Sequence, residues 1–502
     1  MAPRDNFLSD CGDEIRQILQ HAGVAQGSVH VERVGKFKQE RTFYIDDEEE
    51  ASSRTQSEDT FVYGIGSHTK LLVALLLSIV VDKLSYLQGD TYQNYRILRD
   101  IYDHPWETLF TELFNRFSNR KISTLPGNPT LRHVALHFNS LPPMNHALLA
   151  LDGTSIMSKE SFLRVGPGLA ERAYKHSASY NVYSNGNFIL LGYFIEAIAK
   201  ENLAAVMQEY LLKPLGMNHT YINASNSGNR AADPFVVSAD GTRTLVDRLL
   251  YPKDSVVSSA LGAHSTTSDF ATLLRNIQAC INDGKSEFTR DFAMNLLKPD
   301  GILNEVTEDR MSLFGIRTSL DTSTSGSRSF NRIISPANIC STYILGRQKG
   351  KTNVPVYYIA GATKGYTCSS YLIPKHKVFI IVFTNSTGLT DASDHISRLI
   401  LQKTFDLIPA PRAQALLGFK RRVDVVDMAS RAAVEGRTIL ERLAREDTEK
   451  GIPNPRPIQL AGEYHNELTE QVIILKGEEA RLVGTADIPS HRQAKRPLSR
   501  RL

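Results

Sequence analysis

The feature that most constrains the fold is an apolar run from Leu71 to Val81, eleven residues long with one serine inside. A helix that spans a membrane needs roughly 18 or more such residues, so this run is too short to cross a bilayer. The run therefore predicts a buried core helix, from His68 to about Leu84, inside a large globular domain.

Composition limits the kinds of partner that the chain can have. At ~150 residues per domain, 502 residues make about three domains, or one large domain with an appendage. The net charge of +4 is too close to zero to indicate a nucleic acid or a membrane surface as partner.

The N-terminal residues 1–13 carry acidic side chains and no apolar core of a secretory signal, so we expect a cytoplasmic protein. No CxxC pattern occurs among the four cysteines, which we interpret as reduced structural thiols: Cys11, Cys280, Cys340 and Cys368.

Local patterns predict a mixed α and β domain to about residue 410, followed by a small C-terminal module. The predicted module, 411–502, contains a charged helix, a proline-rich linker, strand-like alternation and a basic tail. The predicted strands are 28–34 and 41–45, joined as a hairpin, then 354–359, 367–373, 378–384 and the alternating segment 459–483. The predicted helices after the first are 106–117, 187–212, 270–281, 392–405 and 424–445.

The first candidate for chemistry is a serine three residues before a lysine, at the start of the apolar helix. Residues i and i+3 share a helix face, so the Ser67 hydroxyl and the Lys70 amine can meet. A serine hydroxyl is a weak nucleophile until a base removes its proton. Burial against the apolar helix would lower the pKa of Lys70 and make it such a base.

Other motifs in the chain do not predict a cofactor. Gly346 and Gly350 are separated by three residues, whereas a phosphate-binding loop needs four. His133 and His137 have a metal-ligand spacing on a helix, yet no third ligand follows nearby, so packing or capping is the preferred interpretation. We therefore expect neither a metal nor an organic cofactor.

A second group, Tyr183-Ser184-Asn185, precedes a helical segment. A tyrosine there can shuttle a proton, and an amide can orient a substrate or the lysine. With both groups in view, the sequence resembles the serine β-lactamase-related superfamily, which includes class C β-lactamases, D-alanyl-D-alanine carboxypeptidases, family VIII esterases and a fungal statin side-chain acyltransferase. The resemblance covers roughly residues 60–400 and is collinear. Its five ordered segments are FVYGIGSHTK (61–70), PTLRHVALHFNSLPP (129–143), the run 183–192, PLGM (214–217) and the run 260–273.

The resemblance implies an α+β fold, in which an antiparallel sheet is flanked by helices. A mostly helical subdomain would occupy roughly residues 85–260, within a catalytic domain at 1–410. It also implies that Ser67 is the nucleophile, that Lys70 and Tyr183 move its proton, and that Asn185 binds substrate or positions the lysine. His133 and His137 are structural in this comparison.

Members of this superfamily usually carry Lys-Thr-Gly, or a His-x-Gly-Gly variant, on the strand that lines the site, followed by Gly-Phe or Gly-Tyr. This sequence departs from that third motif. Anchoring on Gly365 places Gly361 and Ala362 at the paired glycines and leaves Ile359 where a lysine or histidine usually stands. That cation pairs with a substrate carboxylate in the family, so its loss favours a neutral ester, amide or thioester. The expected oxyanion hole is the main-chain N–H of Ser67 and one near Ala362 or Thr363.

The preferred function is an intracellular serine hydrolase or acyltransferase of specialised-metabolite biosynthesis or detoxification. Its partners would be a small acyl substrate, an alcohol or amine acceptor, and an acyl carrier as a possible donor. Three alternatives stay open: a catalytically silent binding or scaffold protein, a true β-lactamase or D-amino-acid peptidase, and non-hydrolytic chemistry on the same scaffold.

Overall fold

The structure is a computed structural model, and it divides the chain into two units. The first comprises Met1–Asp82, Ala204–Leu250 and Leu261–Ala444, and the second comprises Lys83–Leu203, Tyr251–Ala260 and Arg445–Leu502. The predicted domain limits stay predictions. The described residues are 6–45, 61–82, 102, 104–139, 141–150, 153–176, 183–222, 231–252, 254–283, 290–304, 309–320, 329, 331, 354–407, 424–449, 462–466, 471–476 and 479–483.

Strands of the first unit form an eight-stranded sheet, in the order β2-β1-β13-β12-β11-β10-β9-β8, with every neighbouring pair antiparallel. Two small sheets accompany it, β3-β7-β4 and β14-β5-β6, while β15-β16-β17 form a sheet in the second unit. The strands are β1 (Gln26–Arg33), β2 (Phe37–Tyr44), β3 (Tyr63–Gly64), β4 (Tyr221–Ile222), β5 (Phe235–Val237), β6 (Arg243–Leu245), β7 (Ala263–Ser265), β8 (Asp300–Asn304), β9 (Asp309–Met311), β10 (Ile316–Ser319), β11 (Pro355–Thr363), β12 (Tyr366–Ile373), β13 (Val378–Thr384), β14 (Ser386–Thr387), β15 (Gly462–Asn466), β16 (Gln471–Lys476) and β17 (Glu479–Val483).

The helices include the predicted apolar core helix, α3. They are α1 (Phe7–Asp10), α2 (Gly12–Ala22), α3 (Thr69–Asp82), α4 (Phe110–Phe117), α5 (Leu131–Ala135), α6 (Asn145–Leu148), α7 (Lys159–His176), α8 (Asn185–Ala199), α9 (Leu203–Met207), α10 (Ser258–Leu261), α11 (Thr267–Asp283), α12 (Arg290–Leu297), α13 (Ala392–Phe405) and α14 (Val425–Glu449). Among the described residues, no helix is long and apolar enough to cross a membrane.

Helices cover both faces of the main sheet, as neighbouring residues of β12 show. Ser369 Oγ donates to the main-chain oxygen of Ser393 in α13, so α13 lies on one face. Ser370 Oγ, on the opposite face, bonds to the ring of His68 beside α3. The predicted arrangement of an antiparallel sheet flanked by helices is therefore confirmed.

The core of the first unit explains why α3 forms where it does. The side chains of Leu71–Leu77 are all fully buried, as the apolar run predicts. Cys11, Cys280 and Cys368 are also buried, and burial raises the pKa of the Cys11 thiol to about 11. A thiol that stays protonated is a poor nucleophile, which agrees with a structural role. Cys340 lies outside the described residues.

Three of the predicted elements are wrong in part. The helix expected at 106–117 is interrupted, because Thr108 is extended and α4 begins at Phe110. The single helix expected at 187–212 is broken: α8 ends where Lys200 takes a left-handed φ of 55°, and α9 then leads into a π-helical turn at Gln208–Leu212. Strand β11 continues to Thr363 instead of ending at residue 359. The small residues Ala360 to Ala362 have a weak strand pattern, but pairing with β12 keeps them extended.

Candidate active site

The candidate nucleophile lies in a tight turn before α3. Ser67 is the middle residue of a 3-10 turn, Gly66–His68, and its side chain is half-buried. Lys70, in the first turn of α3, is buried, and its Nζ donates to Ser67 Oγ at 3.0 Å. The two side chains thus meet as the i, i+3 spacing predicts. Ser67 is the more exposed of the two residues.

Hydrogen bonds from β7 hold this turn in place. Thr69 Oγ1 donates to the Gly66 carbonyl at 2.6 Å and accepts from the Ala263 main-chain N–H at 3.0 Å. The Ile65 N–H donates to the Ala263 carbonyl, also at 3.0 Å. The role of Thr69 could not be predicted from sequence patterns, because Ala263 is 194 residues away in the chain.

The end of β11 passes directly beside the turn. A Cβ atom added to Gly361 would lie 2.2 Å from the Ile65 oxygen and 3.1 Å from the Ser67 nitrogen. A Cβ on Gly66, whose φ is +50°, would lie 2.6 Å from the Ala362 oxygen. Only glycine permits these contacts, so the main chains of Ser67 and Ala362 come side by side. Two main-chain segments this close can supply the pair of N–H donors that an oxyanion requires.

The end of β11, past the part that pairs with β10, carries Ile359 at the position where the resemblance implies a lysine or a histidine. Pairing with β10 stops at Tyr358. Ile359 is half-buried and lies opposite Ser370, on the same sheet face as Gly361. Thr363 is the last residue of β11 and lies opposite Tyr366. Lys364 follows in the turn to β12, away from the strand position that Ile359 occupies. An apolar side chain therefore stands where the resemblance implies a cation.

Tyr183 and Asn185 belong to the second unit. Ser184 caps α8: its Oγ accepts from the Gly186 N–H at 3.1 Å and donates to the Pro142 carbonyl at 2.8 Å. The Tyr183 ring packs on His137, with ring centroids 4.5 Å apart. These contacts fix the loop that carries the tyrosine.

The Asn185 amide is held on one side only. Its Nδ2 donates to Asn145 Oδ1 at 2.8 Å, while its Oδ1 is buried and has no hydrogen-bond partner among the described residues. A buried carbonyl oxygen without a donor is costly, so this atom is suited to accept from an ammonium or a substrate N–H. The contribution of Asn145 could not be inferred from a position 40 residues earlier.

His133 and His137 do not share a helix face, contrary to the spacing argument. Helix α5 ends at Ala135, and His137 has a left-handed φ of 63°. His133 forms a capping box with Thr130, and His137 Nδ1 accepts from the Ser184 N–H at 3.2 Å. Among the described residues, no group of three or more His, Cys, Asp or Glu side chains is arranged to hold a metal ion.

A family model described as Beta-lactamase matches residues 125–404, more than half of the chain. The chain belongs to the beta-lactamase family. The matched span includes Tyr183, Asn185 and residues 361–363, while Ser67 and Lys70 precede it. Members of this family are serine hydrolases or acyltransferases.

Two curated relatives and one solved structure resemble this family member. The unguisins hydrolase ungD of Aspergillus violaceofuscus (strain CBS 115571) is 28% identical over 182 residues, which are 35% of this chain and 28% of the relative. The unguisins hydrolase ungD' of Aspergillus campestris (strain IBT 28561) is 27% identical over 190 residues, 36% of this chain and 31% of the relative. The chain thus spans less than a third of either relative. An octameric penicillin-binding protein homologue from Pyrococcus abyssi shares the fold, with a TM-score of 0.54, 16% identity, and coverage of 93% of this chain and 85% of its own.

Proposed function

We propose that this protein is a serine hydrolase or acyltransferase that works through an acyl-enzyme on Ser67. The observation that carries the proposal is the 3.0 Å contact from Lys70 Nζ to Ser67 Oγ, beside the main chain of Ala362. Nucleophile, base and oxyanion donors are the parts that acyl transfer needs.

The reaction has two steps. In the first, Lys70 in its neutral form takes the Ser67 proton, and Oγ attacks the acyl carbonyl. The oxyanion is stabilised by the N–H groups of Ser67 and Ala362, with Thr363 next to them. The intermediate then collapses, and the leaving group departs with a proton supplied through Lys70 and Tyr183. In the second step, water or an alcohol or amine acceptor gives a proton to Lys70 and attacks the ester carbonyl. Ser67 Oγ takes that proton back as the acyl product leaves.

The substrate that fits best is a neutral ester, amide or thioester. Ile359 offers no charge to a substrate carboxylate, and burying an unpaired carboxylate beside it would be costly. The unpartnered Oδ1 of Asn185 supports an amide N–H of the substrate as the group that it accepts from. The two unguisins hydrolases support hydrolysis in specialised metabolism as the setting.

Intact mass spectrometry after treatment with a fluorophosphonate tests the proposal. We expect one adduct on the wild type, none on Ser67→Ala, and a strongly slowed reaction on Lys70→Met. Ser9→Ala, which removes an exposed serine, is the matched control and should label like the wild type. A folded wild-type protein that takes no adduct would refute the catalytic proposal and favour a silent binding protein. Product partition with and without an added alcohol then separates hydrolysis from transfer.

A further inference from the structure

His68 follows the nucleophile directly, and its ring is fully buried. The imidazole lies edge-on to Phe270 and Phe383, with ring centroids 5.1 and 5.7 Å away. A polar ring in such surroundings must be hydrogen-bonded or it destabilises the fold. Its single side-chain partner among the described residues therefore matters.

That partner lies in the sheet, not in the helix. His68 Nε2 and Ser370 Oγ share a hydrogen bond of 3.0 Å, and Ser370 is fully buried in β12. On the other side of the ring, Nδ1 is 2.7 Å from where a Cβ of Gly361 would be. The imidazole thus contacts both β11 and β12. Its contact on β11 is Gly361, the residue before Ala362.

We propose that His68 is a positioning residue that sets the spacing of the oxyanion hole, an inference that rests on the proposed function. Its main chain continues from Ser67, so the ring fixes one N–H donor relative to the sheet. Its contact with Gly361 fixes the strand that carries the other donor, at Ala362. Oxyanion donors act only within a narrow range of distances, so a small displacement costs rate.

The charge state of the ring suits this role. Burial lowers the pKa of His68 to about 3, with the Ile65 carbonyl opposing the shift. The ring is therefore neutral at physiological pH. A neutral imidazole can keep its hydrogen bond to Ser370 throughout the reaction.

The test removes the bond from the serine side, because Ser370→Ala leaves the imidazole itself and its contact with Gly361 in the protein. The second-order rate constant for fluorophosphonate labelling and its final stoichiometry are measured together with kcat and KM for p-nitrophenyl acetate. We expect full stoichiometry, a labelling rate and kcat about tenfold lower, as for one lost hydrogen bond, and an unchanged KM. Ser370→Thr, which keeps the hydroxyl, should recover most of the rate.

Two further variants separate positioning from general destabilisation. Ser369→Ala removes the neighbouring buried serine that faces α13, so it should leave the labelling rate unchanged even if the melting temperature falls. His68→Phe should be slow, and combining it with Ser370→Ala should slow it no further, because both remove the same bond. The inference is overturned if Ser370→Ala labels at the wild-type rate, or if the two effects multiply. A wild type that does not label at all refutes the proposed function, and the positioning role with it.

Discussion

Acidification should destabilise the first unit through three buried histidines. Burial lowers the pKa of His68 to about 3, of His264 to about 4 and of His395 to about 3, against 6.5 for a free histidine. As pH falls below 6.5, the unfolded chain binds protons that the native state does not, so the free energy of unfolding falls. Between pH 7.5 and pH 5.5 each histidine accounts for about 1.4 kcal/mol, which makes about 4 kcal/mol for the three.

The raised pKa of buried Asp391 works in the opposite direction, so 4 kcal/mol is an upper value. Urea unfolding followed by circular dichroism at both pH values measures the difference. In His264→Phe, a ring still packs on Tyr221 but one titrating group is gone, so the difference should shrink by about 1.4 kcal/mol. His104→Gln, at an exposed position, should leave it unchanged. Equal pH dependence in the wild type and His264→Phe would refute the argument.

Three other predictions concern the site and its support. Gly361→Ala would put a methyl group 2.2 Å from a main-chain oxygen of the nucleophile turn, so fluorophosphonate labelling should slow by roughly 100-fold; wild-type labelling would contradict the oxyanion geometry. Ile359→Lys should raise kcat/KM for esters that carry a carboxylate relative to neutral esters, and an unaltered ratio would exclude this position from substrate binding. Arg398→Met leaves the carboxylate of buried Asp394 without the guanidinium that lies 3.1 Å away, so the free energy of unfolding measured in urea should fall by about 3 kcal/mol. A fall of less than about 1 kcal/mol would contradict a stabilising role for this ion pair.

The sequence was sufficient for the parts of the site that are local. The Ser67–Lys70 contact follows from helix periodicity, and the buried helix follows from its apolar run. The limits of β11 did not follow, because Gly361 and Ala362 are extended through pairing with β12 and not through their own preference.

Contacts between distant residues were beyond the reach of sequence patterns. His68 and Ser370 are 302 residues apart, and no periodicity links them. For His137 the resemblance implies a structural role, and its ring accepts a hydrogen bond from the Ser184 N–H. The four-residue spacing from His133 predicts a shared helix face, which the positive φ of His137 rules out. A left-handed φ at a non-glycine residue is hard to predict from a sequence, because packing elsewhere in the fold offsets its cost.

The place of β1 in the main sheet has a consequence for synthesis on the ribosome. Gly27 pairs with Thr384 in β13. Roughly 350 further residues must therefore be synthesised before β1 can pair with β13. At translation speeds of 5–20 residues per second, the delay is on the order of tens of seconds. During that time β1 presents an unpaired strand edge, the kind of surface that pairs with other chains. We therefore expect the yield of native protein to depend on chaperones that cover the nascent hairpin until β13 emerges.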